Sequence, residues 1–187
     1  NGLSESNFQP RGKDLSYAKL AGIHLPAYDL SHCTLTQADL TGATLNYANL
    51  DSIVAYGVRL DSASMLQTSL RGADFYSTEF PGSSFVNTAM NGVALKNANV
   101  KYGVFTGAIL SGAQAQNASF NYGNFQGGTS LPTTKLTGAD LSGADLSYAQ
   151  LNRVSFNNNF LIRSKFQYLD ASNTQFFDLI MTGADLY

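Results

Sequence analysis

The sequence predicts an all-β repeat fold, in which short extended segments alternate with corners along most of the chain. Apolar residues recur at every fifth position, small residues recur two positions before them, and no apolar run approaches the roughly 18 residues of a membrane-spanning helix. A period of five matches neither the 3.6-residue period of an α-helix nor the two-residue period of a simple strand. It fits a chain that runs extended for a few residues, turns a corner, and repeats.

The apolar residues at every fifth position, here called the centres, form two rows. The first runs from Leu15 to Phe125, and the second, displaced by one position, runs from Leu136 to Leu186. The rows hold 23 and 11 centres, 34 in all, and every one is apolar. Apolar residues make up only 44% of the chain, so chance does not explain the rows. The displacement predicts one inserted residue within the Gly-, Ser- and Pro-containing segment 127–134, which also predicts a loop.

A second column of small residues, mostly Ala, lies two positions before the centres. Positions two apart on an extended chain share a face, so both columns are predicted to point inward and the other three residues of each five outward. Lys13, Tyr28 and Asn159 interrupt the small column. We therefore expect Lys13 to lie outside the regular fold, and local distortions around Tyr28 and around residues 157–159.

Strings such as Ala38-Asp39-Leu40 and Ala139-Asp140-Leu141 resemble the A(D/N)Lxx signature of the pentapeptide-repeat family over residues 13 to 187. This resemblance implies a right-handed quadrilateral β-helix in which four repeats of five make up each coil. The centres would then fill about 8–9 coils, and ~4.8 Å per coil gives a rod about 40 Å long. We expect a single domain with a non-repeat segment or partial cap at 1–12, a first helical part at 13–126, a loop at 127–134, and a second part at 135–187.

A coil of four five-residue repeats predicts that like side chains stack at that interval, because they occupy neighbouring strands. Phenylalanines do recur in this way, and so do three pairs of outward tyrosines. The aromatic sets are Phe85, Phe105 and Phe125; Phe156 and Phe176; Tyr56 and Tyr76; Tyr102 and Tyr122; and Tyr148 and Tyr168.

The chain contains few side chains of the types that usually carry out catalysis. His24 and His32 precede inward positions, and the single cysteine, Cys33, falls in the small inward column, where it is expected to act as a buried apolar residue. The repeated aspartates lie just before centres, where a side chain bonding nearby backbone groups is the simplest role. We therefore expect no catalytic residue, no cofactor and no metal site, and interpret the chain as a non-enzyme.

The outward tyrosines are the candidate interaction surface: Tyr56, Tyr76, Tyr102, Tyr122, Tyr148 and Tyr168. Exposed tyrosines on a rigid scaffold suit contact with a partner. They could equally serve only to stabilise neighbouring coils by stacking. Between Glu79 and Asp140 the only charged residues are Lys96, Lys101 and Lys135, so this girdle is where a partner is first to be sought.

Three functions remain open. The first is a non-catalytic protein-protein interaction or scaffold module, as expected of a rigid repeat rod. The second, implied by the resemblance, is a DNA-mimicking protein that binds gyrase or another topoisomerase, of the quinolone-resistance type. The third is binding of carbohydrate or a cell surface through the tyrosines. Mimicry of a ~40 Å duplex would need on the order of 24 negative charges, whereas the net charge is -2.

The same balance of charge argues against direct binding of nucleic acid. The protein partner is unknown. Because the repeat motif continues to Leu186 without an evident cap, we expect the C-terminal coil to pair with a second copy as a homodimer, or to continue into further sequence. The sequence does not decide between two locations, the bacterial cytoplasm and a periplasmic or secreted location.

Overall fold

The chain forms a quadrilateral β-helix, seen in a computed structural model that describes residues 9–120, 122–125, 136–149, 151 and 154–186. Single-residue parallel bridges occur at every fifth position and join each residue to the one four repeats later, as between Asp14 and Thr34 and again between Thr34 and Val54. The position before each centre forms these bridges. The predicted coil of four repeats is therefore confirmed.

Two longer strands lie in the last coils. β1 (Ser155–Asn157) pairs in parallel with β2 (Gln175–Phe177), with Phe156 opposite Phe176. In the part of the chain that is described, no helix is long and apolar enough to cross a membrane.

The corners of the described coils have a repeating backbone conformation that puts the second residue after a centre at positive φ. After Leu35, for example, Gln37 has a φ of 58°, and the N–H of Ala38 donates to the Leu35 carbonyl at 2.9 Å. Gly adopts this left-handed region freely, whereas other residues do so at a cost. Among the described residues, glycine occupies 12 such left-handed corner positions, counting Gly12 before the first centre, and Gly42 and Gly82 are two of them.

The core is the stacked interior of the coils. Leu, Phe and Met centres and the small residues beside them are buried from Leu25 to Phe166. Phe105 lies between Phe85 and Phe125, with ring centroids 4.8 and 4.5 Å away and interplanar angles of 6°. This stack confirms the predicted column of phenylalanines.

One coil is longer than the rest. Gln114 bridges to Asp140 and Ser119 to Asp145, whereas a regular coil would join Gln114 to position 134 and Ser119 to position 139. The prediction of one inserted residue was therefore wrong, because this coil holds six extra residues. An insertion of one residue and an insertion of six residues displace the row of centres by the same single position, because they differ by one whole repeat. The displacement alone therefore does not distinguish them. The predicted loop at 127–134 lies outside the described residues.

Two of the three exceptions in the small column, Lys13 and Tyr28, keep the regular backbone, whereas at the third, Asn159, strand β1 precedes the residue in place of the regular turn. The Lys13 carbonyl accepts the N–H of Thr34 at 3.0 Å, and the Tyr28 carbonyl accepts the N–H of Asn49 at 2.9 Å. The prediction that Lys13 lies outside the regular fold was wrong, because its backbone is bonded within the coil and only its side chain extends into solvent. The predicted distortion at Tyr28 was also wrong. Asn159 is buried, where its amide donates to the carbonyls of Leu136 and Ala139.

Candidate functional site

Four of the predicted tyrosines form one stack along a single corner of the rod, here called the tyrosine ladder: Tyr102, Tyr122, Tyr148 and Tyr168. Successive ring centroids lie 5.1, 4.8 and 5.1 Å apart, and the interplanar angles are 16°, 7° and 21°. The rings are therefore nearly parallel, and their faces point along the rod axis.

The longer coil is what makes the ladder continuous. Tyr122 and Tyr148 are separated by more than one regular coil of sequence, and the extra residues between them bring the two rings onto neighbouring rungs. Sequence reasoning paired Tyr102 with Tyr122 and Tyr148 with Tyr168 but missed the contact between the pairs. The sequence did contain a signal for this contact. Phe120 lies two positions before Tyr122, and Leu146 lies two positions before Tyr148. These two centres are four centres apart when the two rows are counted together, which is one coil.

The ladder residues all occupy left-handed corner positions, with φ between 53° and 59°. Tyrosine bears a steric cost in this region that glycine does not. Stacking of aromatic rings contributes about 0.5–1.5 kcal/mol for each pair beyond area burial, so contacts along the ladder offset that cost. The same arrangement orders the rings while leaving them accessible.

The exposure of the ladder depends on the position of each ring. The terminal rings of Tyr102 and Tyr168 are 59% and 74% exposed, and the inner rings of Tyr122 and Tyr148 are 48% and 45% exposed. The inner rings are covered by a neighbour on each side. The ladder thus presents a row of rigid aromatic edges, and its terminal rings are more exposed than its inner rings.

The other two predicted tyrosines lie on a different side of the rod. Tyr56 and Tyr76 meet edge to face, with centroids 6.0 Å apart and an interplanar angle of 85°. They line a surface groove of about 580 Å³, together with Asp74, Ala94, Lys96 and Gln114, and we call this the side groove. A hydrogen bond to Asp74 raises the pKa of the Tyr56 hydroxyl, and the Tyr76 hydroxyl accepts the amide of Asn97 at 3.2 Å.

The aspartates before centres are turn residues, as predicted. Asp29, Asp39 and Asp140 each accept the backbone N–H two positions later, at 3.0, 3.1 and 3.0 Å. Hydrogen bonds from the Thr41 hydroxyl and N–H lower the pKa of Asp39. Burial raises the pKa of Asp140, but bonds from Ser142 and Gln116 outweigh it, so this pKa also lies below its usual value.

Cys33 is buried, as predicted, and its thiol donates to the Pro10 carbonyl at 2.8 Å. Burial raises the pKa of this thiol, so the reactive thiolate is disfavoured. His24 and His32 are exposed. In the described ranges, no three His, Cys, Asp or Glu side chains come together in a group that could hold a metal ion.

Charges of both signs are interspersed over the surface. Arg59 lies 3.3 Å from Asp61 and 3.9 Å from Asp39, and Arg11 lies 3.0 Å from Asp29. The side of the rod that leads into the ladder corner carries five acidic and four basic residues: Asp39, Asp61, Glu79, Asp145 and Asp185, with Lys19, Arg59, Lys101 and Lys165. This side therefore carries no uniform acidic stripe.

Several solved structures with this fold cover nearly the whole chain, and HetL and QnrB1 are among them. HetL, a pentapeptide repeat protein involved in heterocyst differentiation regulation in the cyanobacterium Nostoc, is 20% identical with a TM-score of 0.64, over 96% of this chain and 90% of HetL. A trypsin-treated variant of QnrB1, a plasmid-mediated fluoroquinolone resistance protein, is 18% identical with a TM-score of 0.62, over 94% of this chain and 80% of the QnrB1 chain. At these identities the similarity establishes the fold.

No curated protein sequence matches the chain. The sequence model of the family described as Pentapeptide repeats matches in eight copies, at residues 28–53, 56–92, 89–127 and 127–158. These matches cover well over half of the chain, and they fall on the bridged coils. The chain belongs to the pentapeptide repeat family.

Proposed function

We propose that the chain is a non-catalytic protein-binding module that contacts its partner through the tyrosine ladder. The observation that supports this most strongly is the four-ring stack itself, whose rings are between 45% and 74% exposed. Tyrosine is enriched among the residues that carry binding energy in protein interfaces.

The physical advantage of the ladder is that its rings are ordered before binding. Immobilising a flexible side chain at an interface costs about 0.5–1.5 kcal/mol. The stack contacts on Tyr122 and Tyr148 have already restricted these side chains in the free protein. A partner that contacts the ladder therefore loses less free energy to ordering than one that contacts isolated tyrosines.

The proposal is tested by capture of proteins from the native host with a ladder variant, Tyr122→Asn with Tyr148→Asn. Asn suits the left-handed corner, which it occupies at Asn97 and Asn117. The matched control is Tyr47→Asn, because Tyr47 is 56% exposed at a left-handed corner on another edge of the rod. We expect the ladder variant to lose a specific partner that the wild-type chain and the control retain.

Capture of the same partner by all three proteins, with each folded by circular dichroism, would place the binding surface elsewhere. Loss of the partner in the Tyr47→Asn control as well would show a general effect of removing exposed tyrosine and would also contradict the proposal.

Carbohydrate binding is the second candidate, and the side groove favours it. Tyr56 and Tyr76 supply ring surface, and Asp74, Lys96 and Gln114 supply hydrogen-bonding groups around the apolar Ala94. A glycan array separates the two functions. A sugar signal abolished by Tyr76→Ala and kept by Tyr102→Ala with Tyr122→Ala would assign carbohydrate to the groove, and the reverse would assign it to the ladder.

Mimicry of DNA is the third alternative and has the least physical support. QnrB1 is a fluoroquinolone resistance protein, but on this chain acidic and basic residues alternate. A gyrase supercoiling assay with a quinolone is expected to show no protection by this protein.

Pairing with a second copy at the C-terminal coil stays a prediction. A cleft of about 510 Å³ at that coil is lined by the apolar side chains of Phe166, Phe176, Met181 and Leu186. A second copy offers the same apolar surface, as a two-fold interface requires. Analytical ultracentrifugation should show a dimer that Phe176→Lys dissociates; a wild-type monomer at micromolar concentration would contradict the prediction.

A further inference from the structure

We propose that the position of Gly82 is a binding site for one aromatic ring of a partner, which stacks on the open face of Tyr102 and adds a fifth rung to the ladder. This inference deepens the proposed function and rests on it, since it names the chemical group that the ladder receives.

The register places Gly82 directly before the ladder. Gly82 precedes Tyr102 by one regular coil, and the Gly82 N–H donates to the carbonyl of Lys101 at 2.8 Å, as between neighbouring coils elsewhere. Gly82 occupies the same left-handed corner position as the four tyrosines, with a φ of 69°. The column therefore continues below Tyr102 without a side chain at this rung.

The ring face of Tyr102 that points toward Gly82 is open. The opposite face stacks on Tyr122 with an interplanar angle of 16°, so the two faces of Tyr102 point up and down the rod. Tyr102 is more exposed than either inner ring. The additional exposure is what an uncovered ring face produces.

The site has a floor and a height that suit one ring. A Cβ atom added to Gly82 would meet only the Ser62 hydroxyl oxygen, at 3.5 Å, within 4 Å. Coils are spaced by about 4.8 Å, so a planar group at this rung would lie between the Tyr102 ring above and Ser62 below.

The chemistry of the site favours a neutral aromatic ring over a cation. The ladder repeats at 4.8 to 5.1 Å with nearly parallel rings, which is the geometry that a further aromatic ring would continue. Lys101 lies at the same corner and is exposed, so its positive charge would repel a guanidinium group bound at this position. The nearest acidic residue on the preceding face, Glu79, already accepts the Asn99 amide at 2.7 Å.

The test is a titration of the ¹⁵N-labelled chain with N-acetyl-tryptophanamide, followed by NMR. The amide signals of Gly82, Ser83 and Tyr102 should shift through the ring current of the probe and saturate, with half of the change at a concentration on the order of 10 mM. N-acetyl-leucinamide and N-acetyl-argininamide, the aliphatic and cationic probes, carry no ring current, so their binding is compared by the concentration at half of the change, which should be several-fold higher than for the aromatic probe.

Two variants locate the site. Gly82→Tyr supplies the fifth ring from the chain itself, so it covers the open face of Tyr102 and should abolish the shift at Tyr102. Its matched control, Gly42→Tyr, lies in the same column with a φ of 65° and with nothing within 4 Å of an added Cβ, and it should leave the shifts unchanged. Tyr102→Asn, which removes the ring, should also abolish them and provides the test if Gly82→Tyr does not fold.

Half-saturation by the leucine probe at the same concentration, half-saturation by the arginine probe at a lower concentration, or a shift at residue 102 that persists in both Gly82→Tyr and Tyr102→Asn would overturn the inference. The titration contains no partner protein. A failed titration would therefore contradict only the Gly82 site. The proposed function is tested independently by the capture experiment with Tyr122→Asn and Tyr148→Asn.

Discussion

At the scale of single residues, two glycines of the small inward column, Gly103 and Gly123, lie against core atoms that leave no room for a Cβ. A Cβ atom at Gly103 would lie 2.7 Å from a Phe105 ring carbon and 3.0 Å from the Val100 carbonyl oxygen. At Gly123 it would lie 2.9 Å from the Phe125 ring and from the Phe120 carbonyl oxygen. Both glycines make room for large centres, so their role is packing.

Gly103→Ala is therefore expected to lower the free energy of unfolding by about 1–3 kcal/mol, because the added methyl group overpacks the core. Urea denaturation measures this change. The control is Gly112→Asn, at a corner with a φ of 69° and nothing within 4 Å of an added Cβ, where the change should stay within about 0.5 kcal/mol. Equal losses in the two variants would contradict this account of the inward column.

The turn aspartates predict how stability depends on pH. The pKa values of Asp39 and Asp140 are lowered in the folded chain, so the stability that these carboxylates contribute is present above about pH 4 and is lost as the pH falls through their folded pKa values. Asp39→Asn with Asp140→Asn keeps a side-chain acceptor, as Asn49 provides for the N–H of Asp51 at 3.0 Å, but removes the titration.

We therefore expect the free energy of unfolding to fall between about pH 5 and pH 3 in the wild type, and to fall less in the double variant. Denaturation curves at several pH values measure both slopes. Identical slopes would show that these two carboxylates do not carry the acid sensitivity.

At the scale of structural elements, the interior aromatic column stabilises the middle coils. Phe105 stacks on Phe85 and Phe125 and meets Phe120 edge to face, with centroids 5.7 Å apart. Phe105→Ala should cost about 3–5 kcal/mol, as for buried phenylalanines in general. Phe160→Ala removes the same group from a 44% exposed position and should cost about 1 kcal/mol; comparable losses in denaturant would contradict a continuous interior column.

The sequence predicted the interior column because the five-residue repeat shows both which residues point inward and how many residues separate neighbours in the stack. Phe85 and Phe105 are separated by one regular coil, and their contact follows from that spacing alone. The contact between Tyr122 and Tyr148 does not follow in this way, since it depends on the length of the insertion and not on its phase. The left-handed φ of the ladder residues was also missed, because tyrosine has no preference for that region.

At the scale of the whole molecule, the chain is a rod on which one corner differs from the others. On this corner the lower coils carry Gly22, Gly42, Ser62 and Gly82, and the upper coils carry the four ladder tyrosines. The change from small residues to aromatic rings occurs between two neighbouring rungs. A partner that contacts the ladder therefore meets a step in the surface, which defines its position along the rod.

The central claim is that Tyr122 and Tyr148 occupy neighbouring rungs, so that the ladder continues across the inserted residues. Disulfide formation measures this directly, in a Cys33→Ala background with Tyr122→Cys and Tyr148→Cys. Neighbouring rungs lie about 4.8 Å apart, within the Cα separation of about 4.4–6.8 Å that a disulfide spans. Tyr102→Cys with Tyr148→Cys, two rungs apart, is the matched control.

Under mild oxidation, intact mass and a non-reducing digest should show an intramolecular disulfide between positions 122 and 148 and none between positions 102 and 148. A cross-link confined to the control pair, or its absence from the 122–148 pair in a folded protein, would contradict the continuous ladder and the binding surface built on it.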